Sequence, residues 1–282
     1  MLKIIRAITV GSLMLLNLTI LGSLFFVIAA CKLIFSIKKI QELLYSLAEN
    51  IYQLWSRINS AIFKTILPTK WDYNIANDLD DKTWYMLIAN HKSWLDILVL
   101  HTVFNRKIPH LKFFMKSSLQ WVPIAGQVCY VLNYPMITRK KIFAPQNRKH
   151  LASACQKLRA EPTTVTNFVE GTRFTRAKHS QTKSKFSNLL PPKTGGVAAI
   201  VNEITEITTM IDTTIYYQNN STLWHFISGQ IPSIKLRYSL ITIDETWRGD
   251  YYKDKAYRNY LNDKLGAIWQ EKSLLLQSLA QE

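Results

Sequence analysis

Between Arg6 and Lys32 the chain carries no charged side chain over 25 consecutive residues, Ala7 to Cys31. A helix needs roughly 20 apolar residues to cross the hydrocarbon layer of a bilayer. The apolar core of a signal peptide is shorter, about 7–15 residues. The run therefore predicts a retained helix that holds the chain at a membrane.

Ile28-Ala29-Ala30-Cys31 also resembles the cleavage box of bacterial lipoproteins, but the length of the run argues against lipidation at Cys31. Ile37, Ile40, Leu44, Leu47, Ile51, Leu54, Ile58 and Ile62 then recur every three or four residues. That period predicts a long amphipathic helix, packed on a globular domain or lying in the membrane interface. Basic residues flank the apolar run on both sides, Lys3 and Arg6 before it and Lys32, Lys38 and Lys39 after it, so charge assigns no orientation. A single span and a two-helix hairpin dipping into one leaflet both fit, and Asn17 within the run favours something other than a plain span.

The 282 residues suffice for one such anchor and one folded domain. Hydrophobic residues make up 48%, which excludes global disorder. The net charge of +16 favours anionic partners: nucleic acid, anionic lipid or phosphorylated substrates. Eight tryptophans suit a protein at a lipid headgroup layer. Cys31, Cys129 and Cys155 give neither a disulfide framework nor metal-ligand spacing, so no metal site is expected and the chain reads as facing a reducing, cytoplasmic compartment.

Thr65 to Lys82 reads as a polar connector, and the domain boundary falls near Leu67: residues 1–67 anchor, residues 68–282 fold separately. Thr83 to Ala89 predicts a buried strand, and Trp94 to Phe104 a helix capped by Ser93. Between them lies Asn90-His91-Lys92-Ser93-Trp94-Leu95-Asp96. On an unbroken helix His91 and Asp96 point apart. With His91 in the turn and Asp96 in the first helical turn they meet, and the carboxylate fixes the imidazole as a base. The plain alternative is a buried histidine beside a carboxylate that favours a helix dipole.

Leu111 to Lys116 reads as a strand, Ser118 to Val122 as a short helix, and Val131 to Thr138 leads into Arg139-Lys140-Lys141. Pro145 to Leu158 predicts a helix. Thr163 to Val169 predicts a strand, followed by the turn Glu170-Gly171-Thr172-Arg173. Gly171 permits a backbone conformation that other residues resist, and Arg173 presents a fork suited to phosphate. Phe174 to Asn188 reads as a basic loop over the site. Leu189-Leu190-Pro191-Pro192-Lys193-Thr194-Gly195-Gly196 leads into a helix start, followed by strands over Glu206 to Tyr217 and Ile234 to Ile243. One or two helices, with Gly266 as a possible break, close the chain.

Four ordered blocks in this stretch resemble the glycerolipid acyltransferases typified by 1-acylglycerol-3-phosphate acyltransferase. The first, Asn-His-Lys-Ser-Trp-Leu-Asp followed by Ile97-Leu98, is similar to the lysocardiolipin acyltransferase branch. The resemblance implies His91 and Asp96 as catalytic residues. It implies Arg139 as a phosphate ligand, although Met136-Ile137-Thr138 departs from the usual Phe-Ile-x. It implies Glu170, Gly171, Thr172 and Arg173 as acceptor-binding, with Val169 where the family commonly has proline, and Lys193 as the basic residue of the fourth block. The structural alternatives are a solvated basic run at Arg139-Lys140-Lys141, a surface turn at Glu170, and a plain loop before the last helix start.

The expected fold is α/β, a mixed sheet flanked by helices, with an N-terminal helical membrane anchor. The expected activity is transfer of an acyl chain from a thioester to lysophosphatidic acid, or alternatively to a larger lysophospholipid such as lysophosphatidylglycerol or monolysocardiolipin. The co-substrate is acyl-CoA or acyl-carrier protein, and no bound cofactor is expected. Membrane lipid is the expected surrounding, at the bacterial inner membrane with the catalytic domain on the cytoplasmic side. A non-enzymatic basic membrane protein is the rival class, but no nucleic-acid motif is present and nucleic acid is not an expected partner.

Overall fold

The computed structural model describes residues 1–75, 78–137, 148–218 and 222–282. Helices α1 (Leu2–Ile34) and α2 (Lys38–Ile66) form an antiparallel hairpin. The Gln41 side chain ties its tight turn to the carbonyls of Lys32 and Phe35. The chain continues as β1 (Lys70–Tyr73), β2 (Tyr85–Ala89), α3 (Leu95–Phe104), β3 (Leu111–Phe113) and β4 (Met115–Lys116). A 3-10 turn at Ser117–Trp121 leads to α4 (Ala125–Val131), β5 (Met136–Ile137) and α5 (Arg148–Leu158). Then follow β6 (Thr164–Phe168), α6 (Arg176–Thr182), α7 (Thr194–Glu203), β7 (Thr209–Tyr217), α8 (Leu223–Ile227), β8 (Ser233–Thr242) and α9 (Lys255–Gln281).

The main sheet has the order β1-β8-β7-β2-β6-β3. Strands β2, β3, β6 and β7 are parallel; β8 runs antiparallel to β7, and β1 parallel to β8. This is the expected mixed sheet flanked by helices. Every residue of β2 is buried, as a central strand covered on both faces requires. Its side chains alternate between two cores. Met86 and Ile88 join Val165, Val197, Ile200, Leu261 and Trp269 on one face. Tyr85, Leu87 and Ala89 join Phe63, Leu95, Val99 and Phe104 on the other.

Three expectations change and one open alternative closes. The connector after Leu67 contains β1, which alternates polar and apolar residues over only four positions inside a polar stretch; Arg237 of β8 holds its Asp72 at 2.9 Å. Leu111 to Lys116 is two strands in two sheets, because β3 pairs with β6 while β4 pairs with β5. The basic loop after Arg173 contains α6, whose N-cap Thr175 accepts the amide of Lys178. Of the one or two helices expected at the end of the chain there is one, unbroken at Gly266, beside which the space is open.

Helix α1 is long and apolar enough to cross a membrane. It nevertheless touches the domain along its length. Lys3 reaches Gln230 at 3.4 Å, and Arg6 packs against Gly229. Asn17 donates to Trp55 O and to Asn59 Oδ1 in α2, which answers why an amide sits in this apolar run. Gly22 lies against Ile124, where a Cβ would come within 2.6 Å. Lys32 donates to Val131 O at 3.1 Å. The outward face of the hairpin stays apolar, with Ile8, Leu15, Ile20, Val27, Leu47 and Leu54 exposed.

Candidate active site

The parallel pairing of β2 with β6 sets Ala89 beside Phe168, so both strands deliver their following turns to the same sheet edge. The carboxyl ends of parallel strands are where α/β sheets hold ligands. Asn90 clips the first turn to β7: its amide donates to Ile215 O at 2.9 Å and accepts from Ile215 N at 2.8 Å. His91 follows in the turn, and its carbonyl accepts from Phe174 N at 2.7 Å.

Asp96, in the first turn of α3, is fully buried and points back at that turn. Its Oδ2 accepts from His91 Nδ1 at 2.8 Å, Lys92 N at 2.6 Å and Ser93 N at 2.9 Å. Its Oδ1 accepts from the Tyr217 hydroxyl at 2.7 Å. The sequence expectation of a Ser93 cap holds in part. Ser93 Oγ accepts from Leu95 N, and Asp96 takes the Ser93 amide, but the residue at the cap position is Trp94. Asp96 is thus both a helix-start carboxylate and the partner of His91. The bond at Nδ1 leaves Nε2 as the basic nitrogen of a neutral ring. Phe168 stacks on that ring, with centroids 4.0 Å apart and planes 13° apart.

Glu170 is also buried. Its two oxygens accept from His91 N and Leu190 N, each at 2.8 Å, so one carboxyl ties together the first, third and fourth blocks. Burial pushes it up to about 7 from an ordinary 4.5, while the two amides pull the other way. A carboxyl raised in the folded state stabilises most below its unfolded value and loses that contribution as pH rises through the folded one. Relative to Glu170→Gln, the native protein should therefore lose about 3 kcal/mol between pH 4.5 and pH 8. The difference between the two thermal midpoints across that range is the measurement. A constant difference would mean that Glu170 stays ionised throughout.

Gly171 adopts φ +68°, the left-handed region, and a Cβ there would press on the Lys193 side chain at 3.0 Å. Lys193 N donates to Val169 O at 2.7 Å, which brings the fourth block onto the third. A cavity of about 210 Å³ opens here, lined by Glu170, Thr172, Lys178, Gln181, Pro191 and Lys193. Lys178 donates to Thr172 Oγ1 at 2.6 Å and to Arg173 O at 3.0 Å. The Arg173 guanidinium lies 5.2 Å over the ring of Trp94, which is exposed. Two ammonium groups and a hydroxyl around one small cavity suit an anionic group.

Five of the six binding residues and both catalytic residues expected from sequence thus surround one sheet edge; Arg139 lies outside the described residues. Sequence reasoning missed Tyr217, and it read Phe168 only as part of the third block and Lys178 only as part of a basic loop over the site. Lys178 left a signal, since residues 171–202 carry no acid to neutralise their cations. Among the described residues no group of three or more His, Cys, Asp and Glu side chains is placed to hold a metal ion.

A family model described as Acyltransferase matches residues 71–217, which contain all four blocks. The chain belongs to the acyltransferase family. The glycerolipid acyltransferase resemblance read from those blocks is borne out. Over 145 residues the chain is 28% identical to a probable 1-acyl-sn-glycerol-3-phosphate acyltransferase 5 of Arabidopsis thaliana. That match covers 47% of this chain and 38% of the relative, so the chain spans about two fifths of its relative's length. The acyltransferase fold is also seen in the crystal structure of the 1-acyl-sn-glycerophosphate acyltransferase PlsC from Thermotoga maritima. The TM-score is 0.59 at 12% identity, over 98% of both chains.

Proposed function

We propose that this acyltransferase moves a fatty acyl chain from a thioester to the free hydroxyl of lysophosphatidic acid. The observation that carries this reading is the His91–Asp96 contact of 2.8 Å beside a cavity lined by Lys178 and Lys193. His91 Nε2 takes the proton of the acceptor hydroxyl, and the oxygen attacks the thioester carbonyl. The tetrahedral oxyanion collapses, the carbon–sulfur bond breaks, and the imidazolium returns its proton to the departing thiolate. No covalent acyl-enzyme and no bound cofactor enter this scheme. Thr172, Arg173, Lys178 and Lys193 receive the acceptor's phosphate, joined by Arg139.

The donor is acyl-CoA or acyl-carrier protein. We further propose that residues 1–67 are the membrane anchor and residues 68–282 the acyltransferase domain. Both ends of α1 contact one domain surface, at Arg6 and at Lys32. These contacts support a hairpin immersed in one leaflet; the bacterial inner membrane, with the site on the cytoplasmic side, is the setting we propose for it.

Thioester cleavage by the detergent-purified protein tests the reading, with lysophosphatidic acid, lysophosphatidylglycerol and monolysocardiolipin as acceptors. Cleavage dependent on lysophosphatidic acid is the expected result. A preference for the larger headgroups would transfer the assignment to them, and cleavage with none would overturn it. Arg173→Ala should raise the acceptor KM about tenfold with a smaller change in kcat, as loss of one charge-assisted contact to phosphate implies. An unchanged acceptor KM would remove Arg173 from the site.

A further inference from the structure

Tyr217 is the last residue of β7 and lies 121 positions from Asp96 in sequence. Its ring is fully buried, yet its hydroxyl is not a bystander. It donates to Asp96 Oδ1 at 2.7 Å, and it sits 3.0 Å from Ser93 Oγ. Ser93 Oγ in turn accepts from Leu95 N at 3.0 Å. With the phenolic proton on Asp96, the serine proton points at Tyr217. Three donors then align in one direction, Leu95 N–H to Ser93 O–H to Tyr217 O–H, and the series ends on the carboxylate that holds His91. Such a series is cooperative, each bond polarising the next.

We propose that Tyr217 is the third member of the catalytic constellation, a positioning residue that fixes the Asp96 carboxylate and weakens its pull on the His91 proton. Two consequences follow from elementary electrostatics. The donor locks the second oxygen of Asp96, so the first cannot rotate away from His91 Nδ1. It also spreads the carboxylate's charge, so the imidazolium formed in the reaction is stabilised less than a bare carboxylate would stabilise it. Burial holds the phenol well above its ordinary range, so Tyr217 remains a donor throughout. The other titratable groups around His91 are Lys92 in its own turn and Glu170 after β6. Lys92 lies 5.1 Å from the Tyr217 ring and donates to the Tyr217 carbonyl, two contacts that phenylalanine would keep.

The test is Tyr217→Phe in the full-length protein in detergent, read in two ways. The kinetic arm presupposes the acyl-transfer reading above; the titration arm, NMR of the labelled His91 imidazole assigned with His91→Ala, needs no substrate. Loss of one hydrogen bond to a charged group should lower kcat about tenfold, with KM changed less than about twofold. The His91 pKa and the acidic limb of the pH–rate profile should both move up by about half a unit to one unit. Site-specific 3-fluorotyrosine at position 217, nearly isosteric and a stronger donor, should move the His91 pKa down; this arm stands even where phenylalanine impairs folding. On an Asp96→Asn background, Tyr217→Phe should leave the His91 pKa unchanged. An unmoved titration in both Tyr217 variants, or an equal shift on the Asp96→Asn background, would overturn the proposal. Absent turnover with the expected titration shifts would fault the substrate assignment and leave Tyr217 in its role.

Discussion

His91→Ala is expected to lower kcat for thioester cleavage by about a thousandfold, within the range a positioned general base contributes. The geometry makes this substitution unusually clean. His91 has a side chain about 15% exposed, whereas Asp96 is fully enclosed. When the imidazole is removed, Asp96 still accepts from Lys92 N, Ser93 N and Tyr217. The carboxylate is not left unsatisfied, and the turn keeps its shape. The structural losses are the stacking contact with Phe168 and one hydrogen bond, about 1–2 kcal/mol together. Asp96→Ala is a poorer probe, because it strands buried donors and would unsettle the turn along with the base. The measurement is kcat and thermal midpoint on the same preparation. A large loss of kcat with a shift of only a few degrees identifies chemistry. Retention of more than about a tenth of the native kcat would remove His91 from the base role.

The two halves of this site were not equally legible. His91 and Asp96 lie in one local unit, a strand, a turn and a helix start, and each part leaves a mark on a few neighbouring residues. Glu170 was legible as a residue, because Gly171 and Arg173 flank it in a recognisable turn. Its work was not. A carboxyl shared between the amides of His91 and Leu190 depends on β2 lying beside β6 and on the fourth block folding over both. Tyr217 was hidden for the same reason, as the end of a strand whose neighbours no local pattern specifies. Strand β1 carries Lys70 and Asp72 and finds its partner in β8, far along the chain. Helix α6 is short and polar, so no apolar period announces it; only Thr175, with a good capping side chain, marks its start. The apolar stripe of α2 was read correctly as a period, yet it does not all face the domain. Ile51 is buried while Leu47, Leu54 and Ile58 are exposed. A period fixes which residues share a face and not whether protein or lipid covers it.

Lys272→Ala should destabilise the domain by about 3–5 kcal/mol. Lys272 is on α9, buried against β7. Its ammonium lies 2.7 Å from Asp212 Oδ1, donates to Thr213 O at 2.6 Å, and reaches Thr214 Oγ1 at 3.1 Å. Burial pulls the ammonium below its ordinary range, and Asp212 opposes that shift. Alanine would leave Asp212 as a largely buried carboxylate with no cation and would open a space the length of a lysine. For a domain of this size the thermal midpoint should fall by roughly 10 °C. Replacing both partners, Lys272→Met with Asp212→Leu, removes the charges together and should recover most of the loss, since an apolar pair carries no desolvation penalty. The contrast matters because this pair braces the strand that ends in Tyr217. If Lys272→Ala costs less than about 1 kcal/mol, Asp212 has found water or another partner, and α9 does not brace β7 through this pair. If the double variant recovers the midpoint together with native kcat, α9 supports the site by packing alone. Recovery of the midpoint without kcat would show that the buried charge itself supports the site.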